Sequence, residues 1–252
     1  MGVQYDLSGR RVLVIGGSSG VGREVGLAAS RAGARVAFAA RRRELLDGAV
    51  AEAGDRAVAV ECDVTAPDCA RAVDEAASAL GGIDAFVYAT GMSPLVMLDQ
   101  AGAPEWRNVL DVNLVGASLV TAAALPHLRQ SEGRAVYVSS YAVRQSLPGL
   151  GLYRVSKVAL DALIECWRME HPDVDFTRVV VGNTADTEFA SAWGPEALAG
   201  AMKVWVSRNL FPAATMMPLA VCAEAILSVI AVRGYVDDIA IMSRTRDAKP
   251  TV

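Results

Sequence analysis

A short apolar, β-branched run, Arg11-Val12-Leu13-Val14-Ile15, leads directly into Gly16-Gly17-Ser18-Ser19-Gly20-Val21-Gly22 and then into a helical stretch from Arg23 to Ala32. A buried strand, a glycine loop and a helix in that order admit few folds. Glycines at 16, 20 and 22 permit a tight turn, leave room for a pyrophosphate against the backbone and let helix and strand pack closely. The helix N-terminus adds free N–H donors for phosphate. Gly16, Ser18, Ser19, Gly20, Val21 and Gly22 are therefore the expected dinucleotide cradle, in the spacing G-x-x-x-G-x-G and not the commoner G-x-G-x-x-G.

Downstream, apolar runs at Arg35–Ala39, Ala57–Cys62, Ile83–Tyr88, Ala135–Ser139, Phe176–Val181 and Ile239–Met242 alternate with helical patterns at about 42–53, 67–80, 104–130, 151–170 and 216–232. Such alternation predicts an α/β fold: a Rossmann-like doubly wound parallel sheet with helices on both faces and ligands beyond the carboxyl ends of the strands. The 252 residues read as one domain, and an apolar content of 53% suits a sheet buried on both sides. The net charge of −4 argues against a nucleic-acid surface. No run of eighteen consecutive apolar residues marks a membrane span, and Met1 to Asp6 carries no secretory pattern, so a cytoplasmic location is the expectation. Cys62, Cys69, Cys166 and Cys222 form neither a metal-ligand pattern nor a disulfide framework, and no metal is expected. His127, after Pro126 near the end of a long helix, and His171, before Pro172 at a helix exit, read as surface or capping residues.

Tyr153 and Lys157 lie four apart where a helix begins, so phenol and ammonium share one face. An unperturbed tyrosine titrates near ~10 and transfers a proton poorly at neutral pH; a neighbouring ammonium lowers that value. The spacing thus builds a candidate proton donor.

The glycine loop, Asn113-Leu114-Val115-Gly116, Val138-Ser139-Ser140 and Tyr153-x-x-x-Lys157, in that order, resemble the short-chain dehydrogenase/reductase family over nearly the whole chain. By that resemblance the catalytic set is Asn113, Ser140, Tyr153 and Lys157. Tyr153 would exchange the proton with a carbonyl or hydroxyl oxygen. Lys157 would lower its pKa and hold the nicotinamide ribose, Ser140 would bind the substrate oxygen, and Asn113 would kink its helix and pass protons by water to Lys157. Ala89 and Gly91 would line the cofactor. Asp63 and Val64 would meet the adenine, although Asp63 reads equally as a cap for the helix that follows. The family's Asn-Asn-Ala-Gly appears here as Tyr88-Ala89-Thr90-Gly91, its usual threonine before the loop as Ile15, and its Pro-Gly after the sixth strand as Val181-Gly182. Thr184 and Thr187 are both candidates for cofactor contact, and spacing does not choose between them.

At the end of the second strand the acidic position of an NAD site reads as Ala40, followed by Arg41, Arg42 and Arg43. Three cations at a helix N-terminus oppose the helix dipole, a conflict that a bound phosphate removes. NADP(H) is therefore the preferred cofactor and NAD(H) the second, with Arg41 the first phosphate ligand and Arg42 the next. Phe189, Trp193, Met202, Trp205, Phe211, Met216 and Met217 fall at about 187–217, where the family has its substrate lid. They imply a hydrophobic carbonyl or alcohol substrate or, on an alternative reading, ordinary core or subunit packing. The expected activity is interconversion of a carbonyl and a secondary alcohol. The alternatives are a non-catalytic dinucleotide-binding regulator and an epimerase or dehydratase. Leu114, Leu119, Val120, Leu125, Leu160, Leu163, Ile164 and Trp167 exceed what one face against the sheet needs, so a homodimer or homotetramer is expected.

Overall fold

The computed structural model describes residues 5–210 and 216–243. Seven parallel strands form one sheet in the order β3-β2-β1-β4-β5-β6-β7. They are β1 (Arg11–Ile15), β2 (Arg35–Ala40), β3 (Ala57–Glu61), β4 (Ala85–Tyr88), β5 (Arg134–Ser140), β6 (Asp175–Val181) and β7 (Asp238–Ile241). The helices are α1 (Gly20–Arg31), α2 (Arg43–Ala53), α3 (Cys69–Leu80), α4 (Ala103–Leu110), α5 (Gly116–Ser131), α6 (Gly151–Glu170), α7 (Pro195–Ser207) and α8 (Leu219–Ala231).

Strand alternation divides the core in two. Leu13 and Ile15 of β1 face a cluster with Phe86, Tyr88 and Tyr137, closed by α3, α5 and α6. Val12 and Val14 face the other way, into a cluster with Phe38, Val87 and Val136 under α1 and α8. Neighbours on a strand thus serve opposite cores, which is why the strands are apolar throughout rather than alternating. Each buried side chain of this size contributes about 1.5–3 kcal/mol.

Strand order reverses between β1 and β4, whose ends meet at Ile15 and Tyr88. Connections from these strands leave to opposite sides, and the gap between them is where such a sheet holds a ligand.

One element sharpens the expectation and one differs from it. Where the resemblance has Asn113 kink its helix, the helical run foreseen at about 104–130 is interrupted by a π-turn at Asp111–Val115, with Asn113 at its centre. Residues 187–217 carry a full helix, α7, whose amphipathic spacing is too loose to stand out against the Met and Trp residues around it. Ala103–Ser131 is long and apolar enough to cross a membrane by length and composition; in this fold Val120, Ala124 and Leu128 bury its inner face against the sheet.

Candidate active site

The glycine loop is pressed onto the end of β4. Gly16 has φ +91°, and a Cβ there would lie 2.8 Å from both the amide nitrogen and the Oγ1 of Thr90. At Gly22 a Cβ would run into the Gly16 carbonyl and come within 3.1 Å of Ala89. The Ala89 N–H donates to Ile15 O at 2.8 Å. Only glycine fits this close approach, and the result exposes backbone at the start of α1. Ser19, the residue before α1, is extended and does not cap the helix with its side chain, and the first turn holds no acidic residue. A helix N-terminus left in this state favours an anion. Bare backbone, a glycine-lined approach and serine hydroxyls at this point fit the phosphates of a nicotinamide dinucleotide.

Asn113, Tyr153 and Lys157 converge beside that loop. The Asn113 side chain is fully buried, and it accepts from Met92 N at 2.8 Å and donates to Met92 O at 2.9 Å. It also donates to Ser156 Oγ at 2.8 Å, and Ser156 in turn donates to the Tyr153 carbonyl at 2.8 Å. One amide therefore ties the segment after β4 to the first turn of α6. The segment Tyr88-Ala89-Thr90-Gly91 carries no side-chain amide of its own. Tyr88 itself lies in the core and donates to Val112 O at 2.5 Å, inside the π-turn. The π-turn turns Asn113 inward where regular helix would not, a common device at functional sites. A Cβ on Gly91 would be 3.5 Å from Asn113 Oδ1 and 3.5 Å from Lys157 Nζ, so Gly91 marks the point where Asn113 and Lys157 meet. Lys157 Nζ donates to Val138 O at 2.9 Å and stands 6.0 Å from the Tyr153 ring centroid. Ser140 ends β5; its Oγ accepts from Ala142 N at 3.2 Å and lies near enough to the Tyr153 phenol to favour its ionised form.

The electrostatics depart from the sequence expectation. Burial pushes the Tyr153 phenol up to about 12, and the Ser140 hydroxyl only partly opposes it. Lys157 does not offset this rise, because burial weakens its own charged form as well. Burial likewise brings Lys157 down to about 8, with Asp161 acting against the fall. Asp161 lies one turn beyond Lys157, accepts from Ser139 Oγ at 2.5 Å and pairs with Arg178 at 3.1 Å.

Of the three arginines, Arg42 and not Arg41 reaches the glycine loop. Its Nη2 lies 3.2 Å from Ser18 Oγ and 2.9 Å from Ser19 Oγ, and the guanidinium pairs with Glu188 at 2.6 Å. Arg43 pairs with Asp47 one turn on, at 2.8 Å. These partners relieve the dipole conflict expected of three adjacent cations. Arg41 is exposed, and its charge helps to hold the Asp63 carboxyl below its ordinary value, behind hydrogen bonds from Thr65. Asp63 caps no helix: its Oδ1 accepts from Thr65 N at 3.0 Å and Thr65 Oγ1 at 2.8 Å, and α3 starts only at Cys69. Val64 is buried, with its side chain packed against Gly116.

Thr187 lies 3.9 Å from the position a Cβ would take on Gly20, over the loop. Thr184 turns back to Gly182 O at 3.0 Å and approaches Cys222 Sγ at 3.7 Å. The segment after Thr187 covers the site. Phe189 meets Tyr153 edge-on at 5.0 Å, Trp193 packs on Phe189 at 5.2 Å, and Trp193 Nε1 donates to Ser93 O at 2.6 Å. Trp205 and Met217 are buried, Met216 is exposed, and Phe211 lies outside the described residues. His127 sits 3.4 Å from Asp74, and His171 lies 2.9 Å from Arg129 and stacks on Trp167.

Sequence reasoning passed over Glu188, Ser156, Met92 and Asp161. Asp161 had a legible signal, since Tyr153, Lys157 and Asp161 follow one another at i, i+4 and i+8 on one face. Glu188 had none, because its partners lie 146 and 169 residues away.

A family model described as short chain dehydrogenase matches residues 10–197. The 11-beta-hydroxysteroid dehydrogenase 1A of Arabidopsis thaliana is 36% identical over 184 residues, 70% of this chain and 53% of that protein. The chain thus spans about half the length of this plant relative. The human mitochondrial dehydrogenase/reductase SDR family member 2 is 30% identical over 199 residues, 76% of this chain and 71% of that one. A crystal structure of a short-chain type dehydrogenase/reductase from Mycobacterium marinum superposes with a TM-score of 0.81 at 28% identity, covering 95% of this chain and 96% of that one. With the fold, the ordered motifs and a family match over most of its length, the chain belongs to the short-chain dehydrogenase/reductase family.

Proposed function

We propose that the chain is an NADP(H)-dependent oxidoreductase that interconverts a carbonyl and a secondary alcohol, with NAD(H) the weaker cofactor. The meeting of Asn113 and Lys157 at Gly91, with Tyr153 joined to them through Ser156 and facing the Lys157 ammonium, beside a glycine loop at the sheet's switch point, carries this reading. The cofactor, when bound, supplies or accepts the hydride. Tyr153, held protonated at neutral pH, gives its phenolic proton to the carbonyl oxygen in reduction and takes it back in oxidation. Ser140 donates to the same substrate oxygen and fixes its distance from the phenol. Lys157, anchored on Val138 O, holds the nicotinamide ribose and returns a proton to Tyr153. Asn113 fixes the geometry of this set through Met92 and Ser156.

Phe189, edge-on to Tyr153, and Trp193, edge-on to Phe189, favour a hydrophobic substrate. Relatives named as 11-beta-hydroxysteroid dehydrogenases make fused-ring ketones and alcohols the first compounds to try. A panel of aliphatic, aryl and ring carbonyls assayed with NADPH tests the proposal; oxidation of NADPH that depends on one of them supports it. Tight cofactor binding without turnover on any carbonyl would favour a regulator. Cofactor cycling without net redox would favour an epimerase.

A further inference from the structure

Two consecutive lid residues reach opposite parts of the site. The Glu188 carboxylate accepts from Arg42 through both oxygens, at 3.0 and 2.6 Å, and from Ser19 Oγ at 2.8 Å. The next side chain, Phe189, stands against the Tyr153 ring. Glu188 borders a depression of about 280 Å³ shared with Ser18, Ser19, Gly20 and Arg23. Arg42, two residues past the end of β2, reaches the glycine loop beside it, and the end of β2 is where such folds read the substituent on the adenine ribose. Ala40 supplies no carboxylate there.

We propose that Glu188 is a specificity-determining residue whose carboxylate stands in for the 2′-phosphate of NADP(H), so that a phosphate-bearing nucleotide displaces it and a plain ribose does not. The inference rests on the NADP(H) reading above. A carboxylate and a phosphate take the same guanidinium edge in the same two-oxygen geometry. Two anions within a few ångströms of one another on a single arginine repel, so the pair with Arg42 excludes a second occupant. The Arg42 and Ser19 hydrogen bonds hold the Glu188 carboxyl below its usual range, and it is anionic at neutral pH. A ribose hydroxyl brings no charge with which to compete for Arg42. Because Glu188 and Phe189 are adjacent, departure of the carboxylate also draws Phe189 away from the phenol, and phosphate recognition becomes coupled to exposure of Tyr153.

The test uses the full chain, with 2′,5′-ADP and 5′-AMP as probes that carry no nicotinamide, beside NADPH and NADH. Affinities are read by calorimetry and by the fluorescence of Trp193, whose ring packs on Phe189. Glu188→Gln should tighten 2′,5′-ADP and NADPH about tenfold, the scale of freeing one charge-assisted pair, and leave 5′-AMP and NADH within about twofold. The gain should vanish in Glu188→Gln combined with Arg42→Ala. Equal tightening of NADH and NADPH, or no change in either while the unmutated chain still prefers NADPH, overturns the role of Glu188. An unmutated chain that binds NADPH no better than NADH overturns the broader cofactor reading instead.

Discussion

Phe189 lies edge-on to Tyr153 with 5.0 Å between ring centroids, so the proposed proton donor is covered by a side chain of the lid. Burial is the largest cause of the phenol's rise to about 12. Phe189→Ala should therefore move the Tyr153 titration down toward the ordinary ~10. Ultraviolet titration of tyrosinate, with Tyr153→Phe as the blank, measures it, and an unchanged midpoint would show that other groups supply the burial.

Removing the phenol itself separates chemistry from binding. Tyr153→Phe should lower turnover by at least ~10²-fold, the scale of a lost general acid, while NADPH affinity stays close to that of the unmutated chain. Lys157→Ala should damage both. Stopped-flow turnover beside equilibrium titration distinguishes them, and a Tyr153→Phe protein with most of its activity would rule out the mechanism.

The pH dependence follows from Lys157, whose pKa is brought down to about 8 by burial with Asp161 opposing. The ammonium is present below that value and lost above it. NADPH affinity and reduction rate should therefore decline as pH rises through about 8. Asp161→Asn removes the opposing charge, so the break should move to lower pH. The stability sign is the reverse: a cation with a lowered folded pKa costs stability below about 8, and that cost fades as pH climbs toward 10.5. A pH-rate profile of Asp161→Asn with the same break as the unmutated chain would remove Asp161 from the account.

Cofactor choice should respond more to Arg42 than to Arg41, since only the Arg42 guanidinium is seen to contact Ser18 and Ser19. Arg42→Ala should weaken NADPH by about 1.5–3 kcal/mol and leave NADH nearly unchanged. Arg41→Ala should have the smaller effect. The reverse order in fluorescence titrations would return the phosphate to Arg41.

For assembly, the surface divides the apolar residues of α5 and α6 differently from their sequence pattern. Val120, Leu125, Leu160 and Ile164 are consumed by the monomer's own core. Leu119, Val155 and Val158 stay more than two-fifths exposed, with Val115 of the π-turn beside them. An isologous contact through this outer face should give a dimer or a tetramer. Light scattering should return at least twice the 26.4 kDa chain mass, and Leu119→Lys with Val158→Lys should return the monomer.

The site was legible unevenly. The glycine loop and the Tyr153–Lys157 pair were readable because each lies within one turn or one loop, where spacing alone sets geometry. Asn113 and a kink at it were visible by resemblance, but the form of that kink, a π-turn, and the contacts that hold it were not. That irregularity is stabilised by Tyr88, Met92 and Ser156, none of which is its close neighbour in the chain. The contacts of Arg42 were hidden for a similar reason: position at the strand end does not say which guanidinium the lid will meet.

Amino-acid order alone determined the strand–loop–helix start, the parallel α/β alternation and the face shared by Tyr153, Lys157 and Asp161. These are local consequences of glycine sterics, apolar periodicity and the helical repeat. Tertiary structure alone decided that Glu188 meets Arg42 and Ser19, that Phe189 covers Tyr153, and that the phenol's pKa rises rather than falls. Those outcomes depend on contacts and desolvation between segments far apart in the chain, and burial is a property of packing that no local spacing encodes.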